Sequence, residues 1–517
     1  MKKILLLVLP LVTTVAMAQK ETPNVKFGNL ITTQALKEKL SVLASADMEG
    51  RETATPGQKK AAAYIEDQFK RMGLKPGNGN SYQQYYPVYQ DELESKSLSV
   101  NGKHFDWDKD YSFSLNSIVS GNHNYNNTVF VGYGLDDAAN KKTDYEGLDV
   151  KGKIVIVLEG LPEGYKPATN PAQGGRNFGG PGSAFAKASV ARTKGAAGIL
   201  VVTKDFPKKT PTATKGNMYL QKNTNAPFFT ATISEEVASA LLGRTSKQSH
   251  KQLSEINKGN YVAELKIDAE KNTTELQSSN VIAVLDGTDK KDEYVFITGH
   301  YDHLGKKGDV IWYGADDDGS GTTAVLQMAE AFTAAAKKGY KPRRTIVFMT
   351  VSGEEKGLWG SQYYSEHPIF PLDKTSVDLN IDMVGRIDTE RKSADTNNYV
   401  YVIGHDKLSS DLPIINEGMN NKYTKLVLDY KFDDPKDVNR IYYRSDHFNF
   451  ARKGVPILFF YDGMLLADYH QPTDTVDKIN FPLMEKRVKM IYYTAWEMAN
   501  RDAMLKRDTP LNMPATR

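Results

Sequence analysis

Five short stretches of the chain carry the side chains that hold divalent metal ions and move protons. They are His300 with Asp302; the acidic run Asp316-Asp317-Asp318 inside GADDDGSG at 314–321; the pair Glu354-Glu355; Asp382; and Tyr469-His470. Imidazole and carboxylate are the donors that hard or borderline divalent cations take. Two such cations held a few Å apart need a bridging carboxylate and about two further ligands each. A pair of that kind polarises a carbonyl and lowers the pKa of a shared water, and a free carboxylate beside it can serve as general base. Adjacent glutamates suit this division, one binding metal and its neighbour staying free. Asp302, two residues after His300, can orient that imidazole. Zero Cys removes disulfides, thiol nucleophiles, iron–sulfur clusters and thiolate zinc sites, so any metal must rest on His, Asp, Glu or backbone oxygen. Each stretch alone has an ordinary explanation, such as a solvated surface pair or carboxylates favoured at a helix N-terminus. Their joint placement points to a site.

That placement comes from the elements around them. The apolar runs 281–285, 295–299, 345–350, 377–383, 399–403 and 455–460 predict buried strands. Residues 322–336 and 481–499 predict helices, and another begins at 360–364. Strands alternating with helices predict an α/β fold, a mixed, largely parallel sheet flanked by helices. The five stretches fall at or near strand ends, where open α/β sheets bind ligands. Upstream, 30–74 reads as helices interrupted by a polar turn at 45–51, and 82–107 as aromatic, alternating strands. Between these parts the texture differs. Strands at 129–134, 152–158 and 196–202, a helix at 184–195, a Gly- and Pro-rich loop at 162–182 and a short helix at 233–242 form a separate unit.

The 517 residues exceed what one core usually supports. Lys+Arg 66 against Asp+Glu 63 leaves a net charge of +3, which argues against a dedicated nucleic-acid binder. The start pairs Lys2 and Lys3 with an apolar run at 4–15 and the small-x-small site at 16–18. That pattern predicts a secretory signal peptide over 1–18, with Gln19 as the mature N-terminus. No later apolar run reaches membrane-spanning length, so the expectation is a soluble periplasmic or secreted protein without a membrane anchor.

HYDHLG at 300–305, GADDDGSG at 314–321, SGEEKGLWGS at 352–361, NIDMVG at 380–385 and YHQPTDT at 469–475 resemble the co-catalytic zinc aminopeptidases of peptidase family M28. The segment beginning SADMEGR at 45–51 also resembles that family's N-terminal part. The resemblance implies the zinc-dependent exopeptidase fold and two zinc ions per chain. His300 and Asp382 would hold one, Glu355 and His470 the other, and Asp317 would bridge them, its bond to Asp318 being cis in relatives. Glu354 would be general base and then acid, Asp302 would hold His300, and Tyr469 would stabilise the tetrahedral oxyanion. The substrates implied are peptides with a free N-terminus, with Asp446 and Asp462 as candidates to receive the amine. The texture at 128–270, with FVGYGL, YEGLDVKGKIVIVLEG and AKASVARTKGAAGILVV, resembles a protease-associated domain. The peptidase domain would then comprise 19–127 and 271–517.

Three rivals share these residues. A carboxypeptidase of the same fold would bind a free carboxylate, for which Arg386 and Arg444 are available. A glutaminyl cyclase-like enzyme would use one zinc. A non-catalytic binding protein of the same fold would bind a partner without hydrolysis, although no ligand position is missing here.

Overall fold

Four neighbouring strands form the centre of the molecule. Arg344–Val351, Thr375–Ile381 and Ile457–Tyr461 are buried at every residue, and Lys290–His300 over its last six. Such runs suit parallel strands covered on both faces, and the four pair in parallel. Their side chains alternate between two cores. Ile346 and Phe348 join one that also holds the helices Gly319–Lys337 and Phe481–Asn500, whereas Val347, Met349 and Val351 join the other with Tyr364 and Phe450.

A computed structural model describes residues 21–166, 180–221, 228–393 and 395–513. The leader at 1–18 lies outside them, as does most of the 162–182 loop. Among the described residues no helix is long and apolar enough to cross a membrane.

The sheet is mixed and has 15 strands. Its two parts are joined by Gly259–Leu285, a strand of 27 residues. That strand runs antiparallel to Gln83–Val100 along most of its length. Its first half pairs with Gly121–Phe130 and its last residues with Arg344–Val351. A register shift falls between Glu270 and Lys271, where the sequence texture changes. Beyond the first half, Gly121–Phe130, Ile154–Leu158, Gly198–Val202 and Phe229–Ile233 pair in parallel. They pack on a separate core, to which Leu93, Leu98, Phe105, Phe113 and Ile118 also contribute.

The helical entry predicted for 30–74 comprises Thr33–Leu43 and Pro56–Met72. Pro56 opens the second helix at its first position and Gly73, at φ +82°, closes it. Both cover the sheet beside Gly319–Lys337. The polar turn between them is the 3-10 segment Ala46–Arg51, and its Arg51 is fully buried.

Candidate metal centre

The chain places successive crossovers on opposite sides of Lys290–His300, with Arg344–Val351 on one edge and Thr375–Ile381 on the other. A crevice opens at the carboxyl ends of such a switch point. In register, His300 lies beside Val351, three residues before Glu354, and Thr298 lies beside Asn380, two before Asp382. Asp317 enters from the loop leading into Gly319–Lys337, and its peptide bond to Asp318 is cis. His470, at φ +57°, follows the last central strand.

These residues form two triangles sharing one carboxylate. His300 Nε2 lies 3.3 Å from Asp317 Oδ1 and 3.5 Å from Asp382 Oδ1. His470 Nε2 lies 3.1 Å from Asp317 Oδ2 and 3.1 Å from Glu355 Oε2. Donors on one tetrahedral zinc, each about 2.0–2.1 Å from it, stand about 3.3 Å apart. Both triangles have that scale. Glu354 adjoins the first, its Oε2 4.0 Å from His300 Nε2. Among the described residues, the ion-pair partners of Asp317, Asp382, Glu354 and Glu355 are all imidazoles. Buried carboxylates without Lys or Arg are costly unless another cation offsets them. His300 Nε2 and Glu355 Oε1 are also buried without a hydrogen-bond partner. Donor chemistry, spacing and orphaned atoms therefore fit one divalent cation in each triangle.

The adjacent glutamates are driven apart electrostatically. Burial pushes the Glu354 carboxyl well above its ordinary range, and Glu355, Asp382 and Asp446 reinforce the shift against His300. Burial and Asp317 act on Glu355 in the same sense, but His303 and His470 outweigh them and bring it down to about 2. Asp317 is likewise held well below the usual carboxylate range, burial being outweighed by His300 and His470. Neighbouring acids separated in this way take different roles.

The surrounding carboxylates fix the backbone. Asp318 Oδ2 accepts from His300 N, and its Oδ1 from Gly321 N and Met383 N. One side chain thus joins three of the site loops. Asp474 accepts from the backbone N–H groups of both Asp316 and Asp317. Asp302 meets His300 mainly through its main chain. His300 Nδ1 lies 3.1 Å from the backbone oxygen of Asp302 but 3.7 Å from its carboxylate. That carboxylate instead accepts from Glu354 N and the Thr53 hydroxyl.

A cavity beside the triangles is lined by Asp317, Glu354, Asp382, Arg444, Tyr461 and Tyr469, among others. Arg444 Nη2 donates to the Tyr469 hydroxyl at 2.9 Å, which leaves the phenolic hydrogen free for another acceptor. Asp446 and Asp462, the candidates to receive the amine, are not among the residues lining this cavity. Asp446 is fully buried and accepts from the Ser361 hydroxyl. Asp462 is fully buried and accepts from Arg386 N and Met464 N. Arg386 is also turned away, onto Asp468.

Three contributors escaped the sequence reading. Asp474 lies inside the YHQPTDT block, but its role depends on backbone it meets only in the fold. Arg51 donates to the carbonyls of Tyr301, Leu43, Tyr313 and Gly314, tying the entry segment to two site loops. His303 faces Glu355, Nδ1 to Oε1 at 2.7 Å. Its position three residues after His300 was the available signal.

The family model described as Peptidase family M28 matches residues 280–495, which hold both triangles and Glu354. Residues 280–495 form a peptidase family M28 unit. Its resemblance extends to a probable leucine aminopeptidase of Arthroderma otae, 29% identical over 237 residues, or 45% of this chain and 60% of that protein. The chain thus spans less than two thirds of the length of the curated relatives it matches first. Among solved structures, an aminopeptidase from Aneurinibacillus sp. strain AM-1 superposes with a TM-score of 0.53 at 20% identity, covering 96% of this chain and 100% of that one. BSAP, a zinc aminopeptidase from Bacillus subtilis, gives 0.50 at 19%, covering 93% and 99%. At these identities the M28 unit and its flanking parts share the fold of those proteins.

Proposed function

We propose that the chain is a metallo-exopeptidase, specifically an aminopeptidase that works with two zinc ions. The observation that carries this reading is the pair of imidazole–carboxylate triangles sharing Asp317, with Glu354 beside them. His300 and Asp382 would hold one zinc, Glu355 and His470 the other, and Asp317 both. Zinc in such a pair supplies Lewis-acid polarisation of a carbonyl and lowers the pKa of water.

The remaining work falls to the side chains. Glu354 accepts a proton from the attacking water on its carboxylate and later delivers it to the leaving amine. Tyr469 donates its hydroxyl hydrogen to the oxygen on which negative charge develops, and Arg444 holds that hydroxyl in place. Asp302 fixes the backbone at Glu354.

The unit over 128–270, read as a protease-associated domain, would restrict access. Its Met218 and Leu220 pack on Trp359, whose backbone N–H bonds the carbonyl of Gly353 at the start of the glutamate loop.

Arg444 in the cavity favours one second reading, a carboxypeptidase that binds a free carboxylate. A panel of free and N-blocked dipeptides, with and without chelator, separates the two. The aminopeptidase predicts cleavage of the free-amine members alone, abolished by chelation. Equal cleavage of the N-blocked members, or no effect of chelator, would overturn it.

A further inference from the structure

His303 is fully buried, and its Nε2 has no hydrogen-bond partner. A buried imidazole whose only polar neighbour is a carboxylate is costly unless a further partner completes it. Its position is nevertheless tightly determined. The backbone N–H of His303 donates to Arg51 O, and the residue bridges to Glu52. The ring lies so close to Gly314 that a Cβ there would come within 2.5 Å of its Cδ2. Held in this way, Nδ1 lies 2.7 Å from Glu355 Oε1 and helps to hold that carboxyl low. The donor atoms of His303, Asp317 and Glu355 all lie within 4.8 Å of one another. His470 approaches the same two carboxylates, its ring 6.0 Å from that of His303 and inclined at 69°.

We propose that His303 is a third metal-binding imidazole, a direct donor through Nδ1 to the cation shared by Asp317, Glu355 and His470. This rests on the two-metal reading above. The two positions then differ in kind. The first has one imidazole and two carboxylates, while the second has two imidazoles, one sealed inside the protein and one, His470, 31% exposed. A second position of that composition holds its cation through the buried ring when the exposed one moves.

The test is zinc binding and structure rather than turnover. In the crystal structure of the zinc-loaded protein, His303 Nδ1 should stand about 2.0–2.1 Å from a zinc ion. His303→Asn keeps a hydrogen-bond donor near the Nδ1 position but removes the ligand, and His303→Ala removes both. Chelator competition should show one zinc weakened by more than about 10²-fold in each variant, beyond what loss of an outer partner produces, with the other zinc unchanged. The proposal is overturned if His303→Asn holds both ions with wild-type affinity, or if Nδ1 bonds only Glu355 in the zinc-loaded structure. If the wild-type protein takes up no zinc, the two-metal reading itself has failed. If neither variant folds, the Nδ1–zinc distance in the wild-type structure decides.

Discussion

The carboxylate Oδ1 of Asp302 accepts a hydrogen bond from the backbone N–H of Glu354 at 3.2 Å. Its other oxygen accepts from the Thr53 hydroxyl at 2.7 Å. Asp302, two residues after the first imidazole, therefore anchors the loop of the general base and draws in the N-terminal segment. Asp302→Ala leaves both donors unpaired in a dry site, each costing about 1–3 kcal/mol. Urea unfolding should show a loss of at least about 2 kcal/mol, and turnover should fall by about 10–100-fold. Thr53→Ala, which removes one donor with its bond, should cost less than Asp302→Ala in the same assay.

Arg51 is a fully buried guanidinium whose bonds all go to main-chain carbonyls of the entry segment and the site loops. Arg51→Met removes the donors and leaves those oxygens without partners. A loss of at least about 3 kcal/mol in unfolding free energy is expected from several bonds to a charged group. Zinc affinity should fall with it, because Gly314 and Tyr301 flank the ligand loops.

Tyr469 receives its hydroxyl bond from Arg444. Tyr469→Phe should lower kcat by about 10²-fold, the scale for loss of one oxyanion donor. KM and zinc content should stay near wild type. An unchanged kcat would remove Tyr469 from the mechanism.

Asp378 lies on the strand Thr375–Ile381, with Oδ1 bonded to the Thr298 hydroxyl and Oδ2 buried without a partner. Burial raises its carboxyl to about 8, against the Thr298 bond, with Asp446 adding to the rise. The folded form holds its proton while the unfolded chain releases it near the ordinary 3.8. The unfolded state therefore binds fewer protons across that window, and stability falls as pH rises from about 4 to about 8. Asp378→Asn keeps a neutral group there. Its Tm advantage over wild type should grow from pH 5 to pH 8 and then level off.

Much of the M28 unit was legible because its strands are continuous apolar runs ending in short polar signatures. The strand at 399–403 has the predicted bounds, and the helix predicted at 322–336 runs Gly319–Lys337, about a turn longer at its start and one residue longer at its end. The long strand Gly259–Leu285 was not. Its middle, KNTTELQ, is polar and mostly exposed and is held by pairing with Gln83–Val100 rather than by an apolar face. Likewise His303, Arg51 and Asp474 are defined by backbone that approaches from distant parts of the chain. Asp446 and Asp462 were drawn toward the site by their nearness in sequence to His470; in the fold Asp462 accepts from two backbone N–H groups, and Asp446 accepts from the Ser361 hydroxyl through one oxygen only.

The most direct measurement is the hydrolysis of an amino-acid nitroanilide by Glu354→Gln, with zinc content and Tm determined on the same sample. Glu354 binds neither triangle's cation in this account, so both zinc ions and the fold should be retained. Loss of the proton carrier should lower turnover by at least about 10²-fold. Turnover near wild type in a variant that keeps its metal would contradict the account.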